Sequence, residues 1–556
     1  MTVPPQPNQP PVPDGYGHLP GPPQQGYGRP HAGPNPYAQQ PPHAGAPHPG
    51  HGYGYPQPPT VPQPYPVPGG PGGPGKPPRG KRTALVAAAV AAALALGTGG
   101  YFVLAGDDND GAGGKPAAQG SAPADAGPSA GPSVDKGDGK GDGKGGGTEP
   151  DLNSGRKPGE DRVLWLKTNS VELPGGGAPA PAQWVVGDTV VKLAYKTVTG
   201  YAVTDGKERW SVTLPGTLCG ATPNQASPDG KTVLAYKSGD SGESDCNQLK
   251  MIDLKAGKEG WTKEVPKEGI FDIMTSLTLA ISGDTVAVSR VGSSSAFKVS
   301  TGDRLFARTE QPTTDPGGCK PETYAGGSKL VAVARCPDAG EELQGADPVT
   351  GRTTWHYRLP TGWRVSKIYS VDPVVIDATN KEKNERSIAV VGTDGKLRTQ
   401  LSGDGKFAAR CGLTLMDRSL QNCTGVVVDA ATNTMYLPTE GRSNEIVAFD
   451  LGTGKSTWRT PAGPNREVIP LKVENGQLYG YLAGDDDKGG EVLSVPLGGG
   501  KATTVLRNPS APAAKVENTM LSPQIDFVDG RLFLSSTHLA GSRDGSPEKL
   551  LMVFGK

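Results

Sequence analysis

From residue 162 onward the chain repeats one pattern: an alternating apolar strand, a tight glycine-containing turn, and a short strand with an aromatic residue near its start. Copies read YAVTDGKERWSVTLP from Tyr201, LKMIDLKAGKEGWTKEVP from Leu249 and IVAFDLGTGKSTWRTP from Ile446, with others from Phe297, Ala346, Ile388 and Val492. The turn residues Lys207, Lys258, Asp303, Arg352, Lys396, Lys455, Lys501 and Lys556 lie 51, 45, 49, 44, 59, 46 and 55 apart. A fixed period of this kind marks an array of units, none of which can bury its apolar face alone. A period of about fifty suits four strands of roughly 5 to 6 residues, their turns and one longer loop.

Three residues after the turn stand Trp210, Trp261, Phe306, Trp355 and Trp458. A large aromatic on the outer strand of a twisted sheet covers the gap to the next sheet, burying on the order of 150 to 250 Å². No amphipathic helical pattern interrupts the strands, which excludes an α/β alternation. The fold expected for 162–556 is all-β, an eight-bladed β-propeller. Its eighth copy is split: the chain ends in KLLMVFGK at the turn, and RVLWLKT from Arg162, with Trp165, supplies the missing outer strand. That closure leaves no terminal edge unpaired. Seven blades stay open as an alternative, because Thr399 and Thr504 stand where the fifth and seventh copies should carry an aromatic.

The DxxTGKxxW pattern resembles the quinoprotein-type (PQQ-like) repeat of eight-bladed propellers across about residues 162–556, in a membrane-anchored bacterial protein. The resemblance implies two kinds of function. The family's best-known enzymes are dehydrogenases holding pyrroloquinoline quinone over calcium, usually with two adjacent cysteines packed on the cofactor; no two cysteines are adjacent here. Other propellers of this kind act without catalysis, in outer-membrane assembly or as extracellular sensors. A shared fold does not carry chemistry with it.

The N-terminal part is not globular. Residues 1–82 hold 27 prolines among Gly, Gln, Tyr and His, and cannot bury enough apolar surface to offset their ordering entropy. A disordered cytoplasmic tail is expected, and its NPYAQQPP-type clusters suit polyproline II docking. Residues 83–105 form an uncharged apolar run, long enough at 1.5 Å per residue to span a core of about 30 Å. Lys76, Arg79, Lys81 and Arg82 precede it, and Asp107, Asp108 and Asp110 follow. Excess basic residues mark the cytoplasmic side and favour anionic headgroups, so a single transmembrane signal anchor is expected with all later residues outside the cell membrane. Residues 106–161 read as a flexible Gly, Asp, Lys and Ala-rich linker. Within it Asp138, Asp142, Gly143 and Glu149 partly match a calcium loop, but Lys140 takes a ligand position.

All six cysteines lie on the side placed outside, where disulfides persist. Fifteen connectivities are open to six cysteines. The shortest loops pair Cys219 with Cys246, Cys319 with Cys336 and Cys411 with Cys423, and six reduced core thiols are the alternative. Basic and acidic residues number 56 each, which gives no nucleic-acid footprint. Five of the seven histidines sit in the tail, leaving His356 and His538 as the only histidines a funnel-site hydrolase or lyase would have. Both read as surface residues, and Asp485, Asp486 and Asp487 read as a solvated acidic loop. No catalytic, cofactor or metal residue is assigned. The expected function is a non-enzymatic binding, scaffold or sensor module whose propeller face takes a protein, peptide or glycan, with quinone-dependent oxidation or funnel-site hydrolysis as alternatives.

Overall fold

The strands set by that alternation assemble into eight four-stranded antiparallel sheets in a computed structural model, which describes residues 151–556 apart from 223–224, 240, 270–271, 308–317, 408, 412–418, 521–522 and 542–547. Blade 1 spans 182–213, blade 2 218–264, blade 3 273–307, blade 4 320–358, blade 5 363–400, blade 6 427–461, blade 7 468–507 and blade 8 524–555. The predicted closure is present: Arg162–Thr168 joins blade 8 as its outer strand, antiparallel to Lys549–Gly555, with Trp165 opposite Val553. Eight blades form although Thr399 and Thr504 lack the aromatic. The expected tail, membrane span, calcium-like residues and most of the linker lie outside the described residues. Among the described residues no helix is long and apolar enough to cross a membrane. Residues 151–161 pack on the propeller: Asn153 brackets Val163 with two hydrogen bonds of 2.9 Å, and Leu152 packs on the cluster between blades 7 and 8.

Strand sequence follows position in the blade. The second strand of blade 1, Thr189–Ala194, is buried at every residue because a neighbouring blade covers each of its faces. The outer strand Glu208–Thr213 buries Val212 and leaves polar residues out. The apolar core is correspondingly divided, with eight clusters that each span one pair of adjacent blades. Val233, Leu249 and Met251 meet Val286 and Phe297 between blades 2 and 3, and Phe533 and Val553 meet Val190 and Tyr201 across the closure.

The repeat tryptophan joins these clusters at the rim. Trp165, Trp261 and Trp458 each donate the indole N–H to a backbone carbonyl of the next blade, at Val203, Val299 and Leu497, over 3.0, 2.8 and 2.8 Å. The ring lies flat on the turn glycine of that blade. A Cβ on Gly206, Gly302 or Gly499 would come within 2.6, 2.6 or 2.8 Å of Trp165, Trp261 or Trp458. These glycines also have φ of +73° at Gly302 and +86° at Gly499, so both the backbone and the contact require them. Trp210 lies on Gly257 in the same way, but its buried N–H has no acceptor among the described residues. Phe306 packs against Tyr324 of blade 4, with ring centroids 6.3 Å apart. Where Thr399 replaces the aromatic, the turn of blade 6 drops onto the backbone of blade 5, and Ser402 N–H donates to Gly454 O at 2.7 Å.

The closure between blades 8 and 1 carries a polar row. Gln183, Lys192, Thr199 and Ser211 are successive cross-strand partners over blade 1. Lys192 is fully buried and donates to Ala180 O at 2.7 Å, while Gln183 donates to the half-buried Asp526 of blade 8 at 2.6 Å. Burial holds the Lys192 amine down to about 7, with the Asp526 carboxylate opposing the shift.

Trp261→Ala is expected to cost about 3 to 5 kcal/mol in urea unfolding, and Gly302→Ala should be strongly non-additive with it because the two share one contact. Additive costs would contradict the clasp. Between pH 7 and 10.5 the unfolded chain binds a proton on Lys192 that the folded chain does not, so stability rises with pH there. Lys192→Met should lessen that rise in melting temperature; equal slopes for variant and parent would contradict it.

Candidate interaction face

In a four-stranded meander the connections between second and third strands, and those from one blade to the next, share one rim; the remaining turns share the other. The two rims of this ring differ. The turn rim carries the glycine turns, tight two-residue links such as 475–476 and 529–530, and one longer connection, 221–230 in blade 2. The loop rim carries the long connections 401–426, 483–490, 508–523 and 536–548. All three disulfides stand on this rim, one in the connection 401–426 and two at strand ends, with the pairing expected from the shortest loops: Cys219–Cys246 in blade 2, Cys319–Cys336 in blade 4, and Cys411–Cys423 between blades 5 and 6. Loops positioned by a rigid scaffold are the usual carriers of binding.

Charged pairs fix these connections. At blade 3, Asp272 and Arg290 form a buried ion pair at 2.7 Å, and Arg290 also donates to Pro266 O at 3.1 Å and Ser295 Oγ at 3.2 Å. At blade 5, Arg386 reaches Asp377 at 2.7 Å and Phe407 O at 2.6 Å, and Tyr369 donates to Asp377 at 2.6 Å. Burial beside the Asp377 carboxylate raises the Tyr369 phenol, so it stays a donor. At blade 7, burial alone would raise the Glu491 carboxyl, but hydrogen bonds from Arg466, Thr504 and Lys488 outweigh it and hold the group at about 2. The helix Ala513–Asn518 places Glu517 where Tyr481, Asn508 and Gly490 N–H donate to it.

The middle of the ring is bridged. Gln421, two residues from Cys423, accepts Gly326 N–H at 2.7 Å and donates to Gly326 O at 2.8 Å. Gln225 donates to Gln421 at 3.0 Å and accepts the N–H of Ile281 at 3.2 Å. Leu420 O accepts from Ile368 N–H at 2.8 Å, and Lys367 donates to Ser419 O at 2.7 Å. Blades 2, 3, 4 and 5 are thus tied through two glutamines. Off the axis, a cleft of about 440 Å³ opens between blades 2 and 3, lined by Lys237, Asp245, Lys267, Asp272, Ile273 and Thr275. Lys267 pairs with Asp245 at 2.8 Å, and Ile273 is 49% exposed.

A quinone held over calcium needs several oxygen ligands converging on one point. The one group of three metal-ligating side chains among the described residues is Cys319, Cys336 and Glu342, and two of these are joined in a disulfide. These residues do not fit that cofactor. His356 and His538 are exposed on separate blades, as expected. Asp485 turns its carboxylate onto the backbone N–H groups of Asp487 and Lys488 at 3.0 and 2.8 Å, and Asp486 accepts from Asn518 at 2.6 Å, so two of the three acids brace their own loop.

A family model for the outer membrane protein assembly factor BamB matches residues 157–318 and 194–460, more than half of the chain. The chain belongs to that family. Solved structures similar to this BamB-family chain include BamB from Moraxella catarrhalis, at 16% identity and TM-score 0.39, covering 70% of this chain and 100% of the other. The quinohemoprotein alcohol dehydrogenase of Comamonas testosteroni matches at 13% identity and TM-score 0.41, over 71% and 75% of the two chains. The computationally designed Ika8 protein matches at 15% identity and TM-score 0.40, over 70% and 100%. No curated protein matches the chain.

Gln225, Gln421, Asp272 and Arg290 have no counterpart in the sequence expectations. Their partners lie far along the chain or outside the repeat register, and no periodic signal marks them. Gln421→Leu would remove the acceptor of the Gly326 N–H, a cost of about 1 to 3 kcal/mol for a buried group, and leave the Gly326 C=O only the longer bond from Gln225 at 3.5 Å. Hydrogen exchange at Gly326 and Ile281 is expected to accelerate in that variant; unchanged protection would refute the bridge.

Proposed function

We propose that this BamB-family chain is a membrane-tethered, extracytoplasmic propeller that holds a protein partner on its loop rim and performs no catalysis of its own. The observation that carries this reading is the asymmetry of the rims: mostly tight glycine turns on one, and long connections with three disulfides, the buried Asp272–Arg290 pair and further arginine–carboxylate pairs on the other. A surface so braced changes shape little on binding and loses little entropy. The uncharged run 83–105, basic before and acidic after, supports the tether and its orientation, and the disulfides accord with an oxidising compartment. BamB is described as an outer membrane protein assembly factor, which favours a protein over a glycan as the partner. Quinone-dependent oxidation lacks support in the bridged axis and in the ligating groups present.

Photo-crosslinkers placed on the full chain in its membrane separate the rims. Adducts to one discrete protein are expected from Lys267 and Thr275 on the loop rim, and not from Lys258 and Lys455 on the turn rim. Equal labelling from both rims would count against the reading. Titration with pyrroloquinoline quinone and calcium is expected to leave the absorbance additive; tight binding with turnover of alcohols would replace a holding function by an oxidoreductase.

A further inference from the structure

The three disulfides sit in different chemical surroundings. Cys246 of the first is fully buried in the apolar cluster between blades 2 and 3, with Cys219 packed against it. Cys411–Cys423 clips a short two-stranded hairpin. Cys319–Cys336 is flanked by charge: the Arg358 guanidinium donates to Cys319 Sγ at 3.1 Å, and a Glu342 carboxylate oxygen lies 3.7 Å from the same sulfur. Glu342 is 6% exposed, with its other oxygen accepting from Gln344 at 2.9 Å. Arg358 is held in place by Asp338, through contacts to both carboxylate oxygens, one of them at 2.5 Å. Cys319 and Cys336 are themselves buried, at 5% and 4% exposure, and Cys336 leads into an exposed turn through Pro337, Asp338 and Ala339.

We propose that Cys319–Cys336 is a thiol–disulfide exchange site, reduced by a dithiol while the other two disulfides stay closed. In the disulfide, Cys319 sulfur has no proton to give, so Glu342 faces an atom that cannot donate to it. Once reduced, Cys319 has a partner in either protonation state: as a thiol it donates to Glu342, and as a thiolate it accepts from Arg358. The thiol's bond to Glu342 favours the reduced pair, and for the thiolate the nearer Arg358, at 3.1 Å, offsets repulsion from the Glu342 carboxylate at 3.7 Å. A guanidinium beside a sulfur also makes it a better leaving group, since a lower thiol pKa leaves faster. Attack is therefore directed to Cys336, which is 4% exposed in the closed pair and is reached by displacing the exposed turn 337–339 that covers it. A thiolate of the dithiol bonds to Cys336 Sγ, the S–S bond breaks, and Cys319 departs as the thiolate beside Arg358. The second thiol then attacks its own sulfur in the mixed disulfide and releases Cys336. The dithiol leaves as a disulfide, and its two electrons and two protons pass to the cysteine pair. The result frees the turn 336–340 from the start of blade 4, which changes the loop rim without opening a blade. This inference stands independently of the partner-holding role.

The test equilibrates the full chain with graded ratios of reduced to oxidised dithiothreitol, traps free thiols by alkylation, and maps each pair by mass. Cys319–Cys336 is expected to open at a ratio at least tenfold lower than either other pair, with tryptophan fluorescence unchanged. Arg358→Gln should slow its reduction about tenfold, whereas Arg358→Lys, which keeps the charge, should retain most of the rate. Glu342→Gln should shift the ratio toward the other pairs and alter the pH profile of reduction. The proposal is overturned if all three pairs open together, if opening coincides with unfolding, or if Arg358→Gln and Glu342→Gln behave as the parent. Should Arg358→Gln fail to fold, the Lys and Glu342 variants decide the matter by the same readouts.

Discussion

A blade of this protein is not a stable object by itself. Its two middle strands are apolar on both faces, and those faces find cover only on adjacent blades, so the core exists as eight interfaces and not as one centre. At Trp165, Trp261 and Trp458 a tryptophan laid on the next blade's turn glycine repeats one contact between blades. It combines apolar burial with a hydrogen bond to a carbonyl that a turn would otherwise leave to solvent, and it fixes the angle between sheets because the ring is flat and the glycine offers no Cβ. The ring can tolerate a missing aromatic at blade 5 because the backbone of the next turn moves into direct hydrogen-bonding contact there.

This division of labour leaves one rim free to vary. On the loop rim, connection length is unconstrained by blade packing, and the cysteines and the buried Asp272–Arg290 pair are found there. The bridge of Gln225 and Gln421 across the ring follows the same logic: side-chain amides satisfy the strand-end backbone groups of blades 3 and 4, which have no fifth strand to pair with.

What was legible in the sequence was what is local or periodic. The Trp261 register, the turn glycines and the split last blade all announce themselves within one period, and the cysteines pair with neighbours because each pair belongs to one blade or one hairpin. What was not legible joins residues far apart in the chain. Gln225 and Gln421 are separated by 196 residues, Gln183 and Asp526 by 343, and their meeting depends on ring curvature that no single repeat encodes. The surroundings of Cys319 were hidden for a different reason: Arg358 and Glu342 face each other across two strands, and only the register shows that they share one sulfur.

The split blade has a mechanical meaning. The strand Arg162–Thr168 that completes the ring is also where the chain arrives from its N-terminal part, so tension on that part is delivered to the closure before any other interface. The first element to resist is the pair of hydrogen bonds between Asn153 and Val163, and behind it stands the indole of Trp165 anchored on blade 1. An antiparallel strand pulled along its own axis shears several backbone hydrogen bonds at once, whereas one peeled from its end loses them singly. The direction from which this chain is pulled therefore decides whether the ring behaves as a rigid bead or as a clasp that can be sprung.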